Sequence, residues 1–427
     1  MSKCAILGGK PVREKAIPWV GTMGKEEKEA VLEVMDTGVL SDFLANSGDK
    51  FLGGRKVKEL EAAFAERFHS KHAISVNSAT TALHTAVAAC GIGPGDEVLV
   101  SPYTMVASAS AILMNGGIPV FVDIDENTYT MNPSLIERWI TPRTKAILTV
   151  NIFGFPGYLK EIRAIADKYG LLLIEDNAQA PGATVNGTEA GTIGDIGIFS
   201  LNYHKIIQSG EGGVLVTDSD ELAWRCQLIR NHGEVALDEL NDMETAVLGN
   251  NYRMSELHAA IGIEQLKKLD LFLESRRMLA ARLSKALKEI RGLTGVFLPE
   301  GYTHSYYLYP IKFDRNEWKI SRKLFADAVS AEGFPLGVGY VKPIYLMNLY
   351  RHKHIINEKS TFPFSMVDKL TQEYQKGLCP VVERMHYEEL VTADVCRLPY
   401  TENDIDDFVE ALEKVRSAQD ELSGLGD

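Results

Sequence analysis

Ser200-Leu-Asn-Tyr-His-Lys-Ile-Ile-Gln-Ser-Gly-Glu-Gly-Gly213 sets one lysine, Lys205, between two apolar runs, Ile196-Gly-Ile-Phe199 and Val214-Leu-Val216. Short apolar runs bounded by turn residues read as buried strands, so Lys205 falls in a loop at strand ends. A lysine amine attacks a carbonyl only when neutral, and a partly desolvated pocket lowers its pKa toward that state. The position therefore suits Schiff-base chemistry with an aldehyde. Taken alone, a loop lysine is more often simply solvated, so the rest of the chain has to decide between the two.

Outward from this stretch, the pattern from about Arg55 to Val216 alternates between helical periodicity and short β-rich runs. That alternation is how an α/β fold with a mostly parallel central sheet and crossover helices reads. Helices are expected over 57–68 and 80–90, the latter ended by Gly91, and strands at 73–76, 97–100, 119–122, 146–150 and 171–174. Between the last two strands, Tyr158 to Tyr169 reads as an amphipathic helix with Gly170 at its C-cap. Near Ser255 a long helical stretch begins and runs to about Ile290. This places a large domain over 1–254, with an N-terminal arm over 1–25, and a smaller C-terminal α+β domain over 255–427, entered through that helix.

A chain of 427 residues holds more than one ordinary core and leaves room for a pocket between domains. Its net charge of -13 and lack of any basic run argue against nucleic acid or an anionic membrane as a partner. The N-terminal apolar stretch is too short for a signal peptide, and no segment has the length of a membrane span, which makes a cytoplasmic enzyme the default expectation. The five cysteines are dispersed and never form a Cys-x-x-Cys pair, which speaks against disulfide scaffolds, zinc and iron–sulfur clusters. No metal is expected.

In open parallel sheets ligands bind beyond the carboxyl ends of the strands. Asp176 follows the run Leu171 to Ile174 and puts a carboxylate where burial needs a cationic partner, such as a protonated pyridine nitrogen. Gln179, three residues on, is placed to donate to a phenolic oxygen of the same ring. Asn77-Ser-Ala-Thr-Thr81 lies between a strand and the start of a helix, where backbone N–H groups and hydroxyls converge as a phosphate cradle. Tyr103 stands just past the strand ending at Val100, as a stacking ring or as core. Glycines 210, 212 and 213 suit a tight turn with close backbone approach. Asn251 and Arg253 precede a helix capped by Ser255, have no evident local role and are placed to reach a neighbouring subunit.

In order and spacing these segments resemble the DegT/DnrJ/EryC1/StrS sugar aminotransferases, a branch of the fold type I pyridoxal phosphate (PLP) enzymes. The likeness takes in Ala5 to Arg13, Asn77 to Leu83, Pro102 to Ala107, Glu175 to Ala183, Ser200 to Gly213, Gly249 to Leu266, Cys379 to Arg384 and Leu398-Pro399. It implies that Lys205 forms the Schiff base with PLP and later shuttles protons, and that Asp176 pairs with the pyridine nitrogen. It further implies Gln179 on the ring 3-oxygen, Tyr103 stacked on the ring, and Ala79, Thr80 and Ser200 on the phosphate, with Asn251 lent to that phosphate by the other subunit of a homodimer. The implied reaction moves an amino group from glutamate or glutamine to a keto sugar, nucleotide-linked or free, or to a keto cyclitol. The N-terminal and Cys-Pro-x-x-Glu-Arg segments lean toward the cyclitol branch, such as the inosose aminotransferases.

Some relatives carry histidine at the lysine position and act as dehydratases. Five positions separate Ser200 from Lys205, and four residues lie between Lys205 and Gly210, the aminotransferase spacing. His204 is thus a neighbour of the Schiff-base residue, although threonine or serine is expected there. Asn151, where relatives often have histidine, and the Ser-Ala-Thr form of the phosphate motif are further departures. His304, Tyr306, Tyr307 and Tyr340 lie in segments that resemble sugar-pocket walls in relatives, or pack the small domain. The alternatives are a PLP-dependent dehydratase or isomerase and a non-catalytic PLP-binding regulator.

Overall fold

The computed structural model describes residues 3–425 except 16, 19, 242–246, 356 and 358. A seven-stranded sheet is built from β1 (His72–Val76), β2 (Glu97–Val100), β3 (Ile118–Phe121), β4 (Thr144–Val150), β5 (Leu172–Asp176), β6 (Ile196–Ser200) and β7 (Gly213–Thr217). Its order is β1-β7-β6-β5-β4-β2-β3. The pairs β2/β3, β2/β4, β4/β5 and β5/β6 are parallel, while β7 runs antiparallel to both β6 and β1. Every residue of β2, β3, β6 and β7 is buried, the signature of a sheet covered on both faces.

The alternation of side chains along the strands sorts them between two apolar layers. Val98, Val100 and Ile174 face one layer, with α3 (Ala79–Ala89) and α4 (Ala107–Met114), following α1 (Lys25–Thr37) and α2 (Arg55–Arg67) in the chain. Leu99, Ile147 and Leu173 face the other, with Ile162 and Ala166 of α5 (Leu159–Tyr169). On β5 this parity sends Asp176 to the α4 side and Glu175 to the opposite side. Gly170 closes α5 in the left-handed conformation, as expected from its place after the amphipathic run.

A second sheet is antiparallel throughout, with β8 (Leu293–Thr294), β9 (Tyr309–Phe313), β10 (Leu336–Val338) and β11 (Leu390–Ala393) in the order β8-β9-β11-β10. The long helical stretch is two helices divided at Lys268, after α6 (Asp220–Arg230): α7 (Glu256–Lys267) and α8 (Leu269–Leu287). The first packs on α1 and α2 and the second on the long helix near the C-terminus, Glu402–Ser417. The passage from one core to the other therefore falls inside the helical stretch.

The chain then crosses back. Ile344, Tyr345, Tyr350, Phe364, Tyr374 and Val382 join the core of the large sheet. Gln372 closes its β3 edge by pairing through its side chain with both the N–H and the C=O of Phe121, each at 2.8 Å. An unpaired edge strand is thereby covered by the chain's own return segment. Among the described residues, no helix is long and apolar enough to cross a membrane.

Candidate active site

The strands β1, β2, β4, β5 and β6 all point the same way, so the segments leaving their carboxyl ends meet at one edge of the sheet. From β1 the chain passes through Ser78, which caps α3: its Oγ accepts from the Thr81 N–H at 3.1 Å. Ala79 and Thr80 occupy the first turn, where backbone N–H groups have no intrahelical acceptor and the helix dipole favours an anion. Gly213, at the start of β7, passes so close beneath that a Cβ there would stand 2.5 Å from Ser78 O and 2.7 Å from Ala79 N. Only glycine allows that approach. Gly210, in the same turn, has φ +85, which explains a second glycine.

Asp176 ends β5, is 5% exposed, and accepts hydrogen bonds from Ser108 Oγ at 2.7 Å and the Ala178 N–H at 3.2 Å. Burial pushes its carboxyl above the ordinary carboxylate range, opposed by the Ser108 bond, the Ala178 N–H and the charge of Lys205. No ion pair neutralises it among the described residues, so it is a buried acceptor with capacity left over. Gln179 is fixed in one orientation: its Oε1 accepts from the Phe153 N–H at 2.8 Å, which makes Nε2 the donor, and Nε2 reaches Tyr340 Oη at 3.2 Å. Phe153 holds that N–H in place from a left-handed backbone, φ 59.

Lys205 leaves the loop after β6 with its N–H on Asn202 O at 2.9 Å. Its side chain stands between two cavities. One, of about 160 Å³, is lined by Ala79, Thr80, Met105, Asp176, Gln179 and Ser200. The other, of about 520 Å³, is lined by Thr22, Tyr307, Arg276, Asp394 and Arg397 among others, and His204 borders both. The Lys205 amine lies 4.6 Å from the centre of the Tyr307 ring. Burial pushes its pKa down to about 8, with Asp176 pulling the other way. His204 is likewise lowered, first by burial and then by the Lys205 charge. An amine whose pKa is drawn down toward neutrality, with a buried carboxylate on the same cavity, is the pairing that Schiff-base chemistry needs.

Lys205, Asp176, Gln179, Ala79, Thr80, Ser200 and His204 thus come together on these two cavities. Tyr103 does not join them. It is fully buried, edge-on to Phe153, Tyr340 and His386, and Met105, two residues on, lines the cavity in its stead. The expected stacking ring is therefore core, because the turn after β2 sends Tyr103 inward and Met105 out. His304 and Tyr306 are buried and stacked on each other at 4.2 Å, with His304 Nδ1 accepting from the Tyr306 N–H at 2.8 Å. Burial holds the His304 pKa down at about 3, so the imidazole is a neutral packing group, and Tyr307 takes the wall position. Tyr340 sits behind Gln179. Asn251 lies on the surface, its Oδ1 accepting from Arg253 Nε at 2.9 Å, and the single chain does not bring it to either cavity.

Sequence reasoning missed Met105, Ser108 and the Phe153 N–H. Ser108 carried a signal: a serine inside the apolar helix Ala107–Met114 needs a buried partner. Asn151 proves to be structural, donating to Asn177 Oδ1 at 2.9 Å and to Glu175, which accepts the N–H groups of Gly191, Ile193 and Gly194. The smaller cavity fits PLP in its donor set. Unpaired helix N–H groups and Ser200 suit the phosphate, the under-satisfied Asp176 suits a ring N–H, the Gln179 Nε2 donor suits the ring oxygen, and a lysine amine stands at the aldehyde end.

The sequence pattern of the DegT/DnrJ/EryC1/StrS aminotransferase family matches residues 23–373. The L-glutamine:2-deoxy-scyllo-inosose aminotransferase of Streptoalloteichus tenebrarius is 33% identical over 98% of this chain and 98% of its own. The GDP-perosamine synthase of Caulobacter vibrioides is 36% identical over 76% of this chain and 84% of its own. Among solved structures, the aminotransferase from Psychrobacter cryohalolentis superposes with a TM-score of 0.82 at 28% identity, covering 95% of this chain and all of that one.

Proposed function

We propose, for a chain that belongs to the DegT/DnrJ/EryC1/StrS aminotransferase family and is therefore a fold type I PLP-dependent aminotransferase, that it transfers an amino group from glutamate or glutamine to a keto cyclitol or keto sugar. Aminocyclitol or amino-sugar biosynthesis is the corresponding role. The observation that carries this reading is the desolvated amine of Lys205, with its pKa near 8, standing between the Asp176 cavity and a second cavity large enough for a substrate. The two relatives named above act, by their names, on a cyclitol and on a nucleotide-linked sugar.

When bound, PLP supplies an aldehyde for Schiff-base formation and a ring that draws electrons from the carbon being deprotonated. The chain's residues do the rest. Ala79 and Thr80 would hold the phosphate through backbone N–H groups, with Ser200 beside them. Asp176 would accept a hydrogen bond from the ring nitrogen and favour its protonated form, since its buried carboxylate has no ion-pair partner among the described residues. Gln179 would donate from Nε2 to the ring oxygen. Lys205 Nζ would take the proton from the donor's α-carbon, a task suited to a base titrating near operating pH. The acceptor half runs these proton movements in reverse. The same reading takes Asn251, exposed on the single chain beside Arg253, as the residue that would complete the phosphate site of a second copy in a homodimer.

Mixing the PLP-loaded protein with glutamate or glutamine should convert the Schiff-base absorbance to that of the aminated cofactor. No conversion with any amino acid would sink the aminotransferase assignment.

A further inference from the structure

The larger cavity carries a cation that nothing above employs. Arg276 lies on α8, is 9% exposed, and lines this cavity together with Lys205. Its Nη1 donates to Tyr306 O at 2.6 Å and, at the limit of hydrogen bonding, to Tyr307 O at 3.5 Å. Among the described residues no carboxylate pairs with it. The nearby carboxylate, Asp394, is engaged by Arg397 Nε at 2.7 Å, and Arg397 lines the same cavity, with its Nη1 on Leu398 O at 3.1 Å. A guanidinium taken out of water without a counter-ion is costly, and an anion delivered to it recovers much of that cost. Burial holds the Arg276 pKa down to about 10, against the pull of Asp394.

The donor's own chemistry says where its anion must lie. An amino acid carries a carboxylate on the same carbon whose proton Lys205 removes. That carboxylate therefore sits within one bond of the reacting carbon, on whichever side of Lys205 has room for it. The Asp176 side is filled by the cofactor's donor set and carries a buried negative charge. The Tyr307 side is open, about 520 Å³, and holds two guanidiniums against one carboxylate. We propose that this cavity is the carboxylate subsite for the amino donor, with Arg276 the recognising cation and Arg397 a second one at its wall. The inference rests on the aminotransferase reading above. A keto sugar or cyclitol has no such carboxylate, so Arg276 serves the donor half of the reaction.

The test uses the PLP-loaded protein with two nucleophiles that attack the same carbon: glutamate, which carries the carboxylate, and hydroxylamine, which does not. In Arg276→Gln, KM for glutamate should rise on the order of 100-fold, the scale of a lost buried charge-assisted contact. The rate of Lys205 displacement by hydroxylamine should stay within about twofold of wild type, because the loss is confined to carboxylate recognition. Equal loss toward both nucleophiles, or an unchanged KM for glutamate, overturns the proposal. Arg276 also supports the Tyr306 carbonyl, so if this variant fails to fold, Arg397→Gln is read in the same way. There KM for glutamate should rise by about tenfold with hydroxylamine unaffected, and an unchanged KM overturns the proposal equally. A wild-type protein that reacts with hydroxylamine but converts with no amino acid breaks the aminotransferase reading instead.

Discussion

The 160 Å³ cavity on the Asp176 side of Lys205 and the 520 Å³ cavity on its Tyr307 side are walled differently. The first is made from the ends of adjacent strands and the helices they feed, and its polar groups hold one another. Ser108 and the Ala178 N–H fix Asp176, the Phe153 N–H fixes Gln179, and the Ser78 cap fixes the turn that carries Ala79 and Thr80. The second is assembled from the arm at Val20 to Thr22, the Lys205 loop, α8, Tyr307 and the stretch Asp394 to Pro399. Its charged groups are only partly matched: Arg276 donates to the Tyr306 carbonyl with no carboxylate paired to it among the described residues, while Arg397 holds Asp394. A site that binds one invariant group can be prebuilt; a site that admits two substrates in turn has to keep unspent hydrogen-bonding capacity. Lys205 serves both because its side chain, like that of His204, borders both cavities.

Removing the Lys205 amine should do the most damage. Lys205→Ala is expected to lower transamination by about 10⁴-fold or more, since it removes the proposed nucleophile and proton shuttle. Borohydride reduction followed by mass spectrometry should then find no PLP fixed to the protein. A covalent adduct on the variant would move the Schiff base elsewhere and dissolve the comparison. Asp176→Asn tests the prebuilt side alone. It keeps the shape, removes the anion, and is expected to reduce kcat by about 10³-fold, the scale of losing one preorganised electrostatic group. A rate within a few-fold of wild type would mean that the buried carboxylate is structural only.

The prebuilt side was the legible one, and the reason is its construction. Asp176, Gln179, Ala79, Thr80, Ser200 and Lys205 lie within a few residues of apolar runs, and a strand end can be read from local pattern. Tyr103 shows where local pattern fails. Which of two neighbouring side chains in the turn after β2 faces the cavity depends on backbone geometry, and Met105 won. His304 and Tyr306 failed for a different reason: aromatic residues beside a strand look alike whether they line a pocket or fill a core. The wall from residue 20 to residue 399 was not legible as a unit, because its parts are brought together only by the return of the chain across Lys268 and back. The division of the chain at residue 254 blurs for the same cause, with 344–382 packed on the large sheet.

The Lys205 pKa offers a test that needs no substrate. An ordinary lysine titrates at 10.5, whereas burial brings this one to about 8. The neutral amine is the form that attacks PLP, so incorporation into cofactor-free protein should speed up as pH rises through about 8 and level off above it. At pH 7 the neutral share exceeds that of a solvated lysine by on the order of 300-fold. Stopped-flow absorbance gives the profile. A rate still climbing at pH 10 would show the amine to be solvated and the smaller cavity wet. Ser108→Ala should act more gently. Asp176 would keep the Ala178 N–H but lose a buried hydroxyl donor, and kcat should fall by about tenfold, the scale of one hydrogen bond to a charged group.

The smallest effect concerns a residue that ties the two sides together. Tyr340 follows β10 of the small sheet, yet its hydroxyl meets Gln179 Nε2 on the large one. The other end of the amide is already pinned by the Phe153 N–H. Tyr340→Phe therefore leaves Gln179 in the same orientation with one partner fewer, and kcat should fall by roughly threefold, as for a neutral hydrogen bond worth ~1 kcal/mol or less. If Tyr340 works through Gln179, the two changes share one cause. Gln179→Ala should then cost about tenfold, and the double variant should cost no more than Gln179→Ala alone. If instead the losses multiply, Tyr340 touches the substrate directly and belongs to the larger cavity.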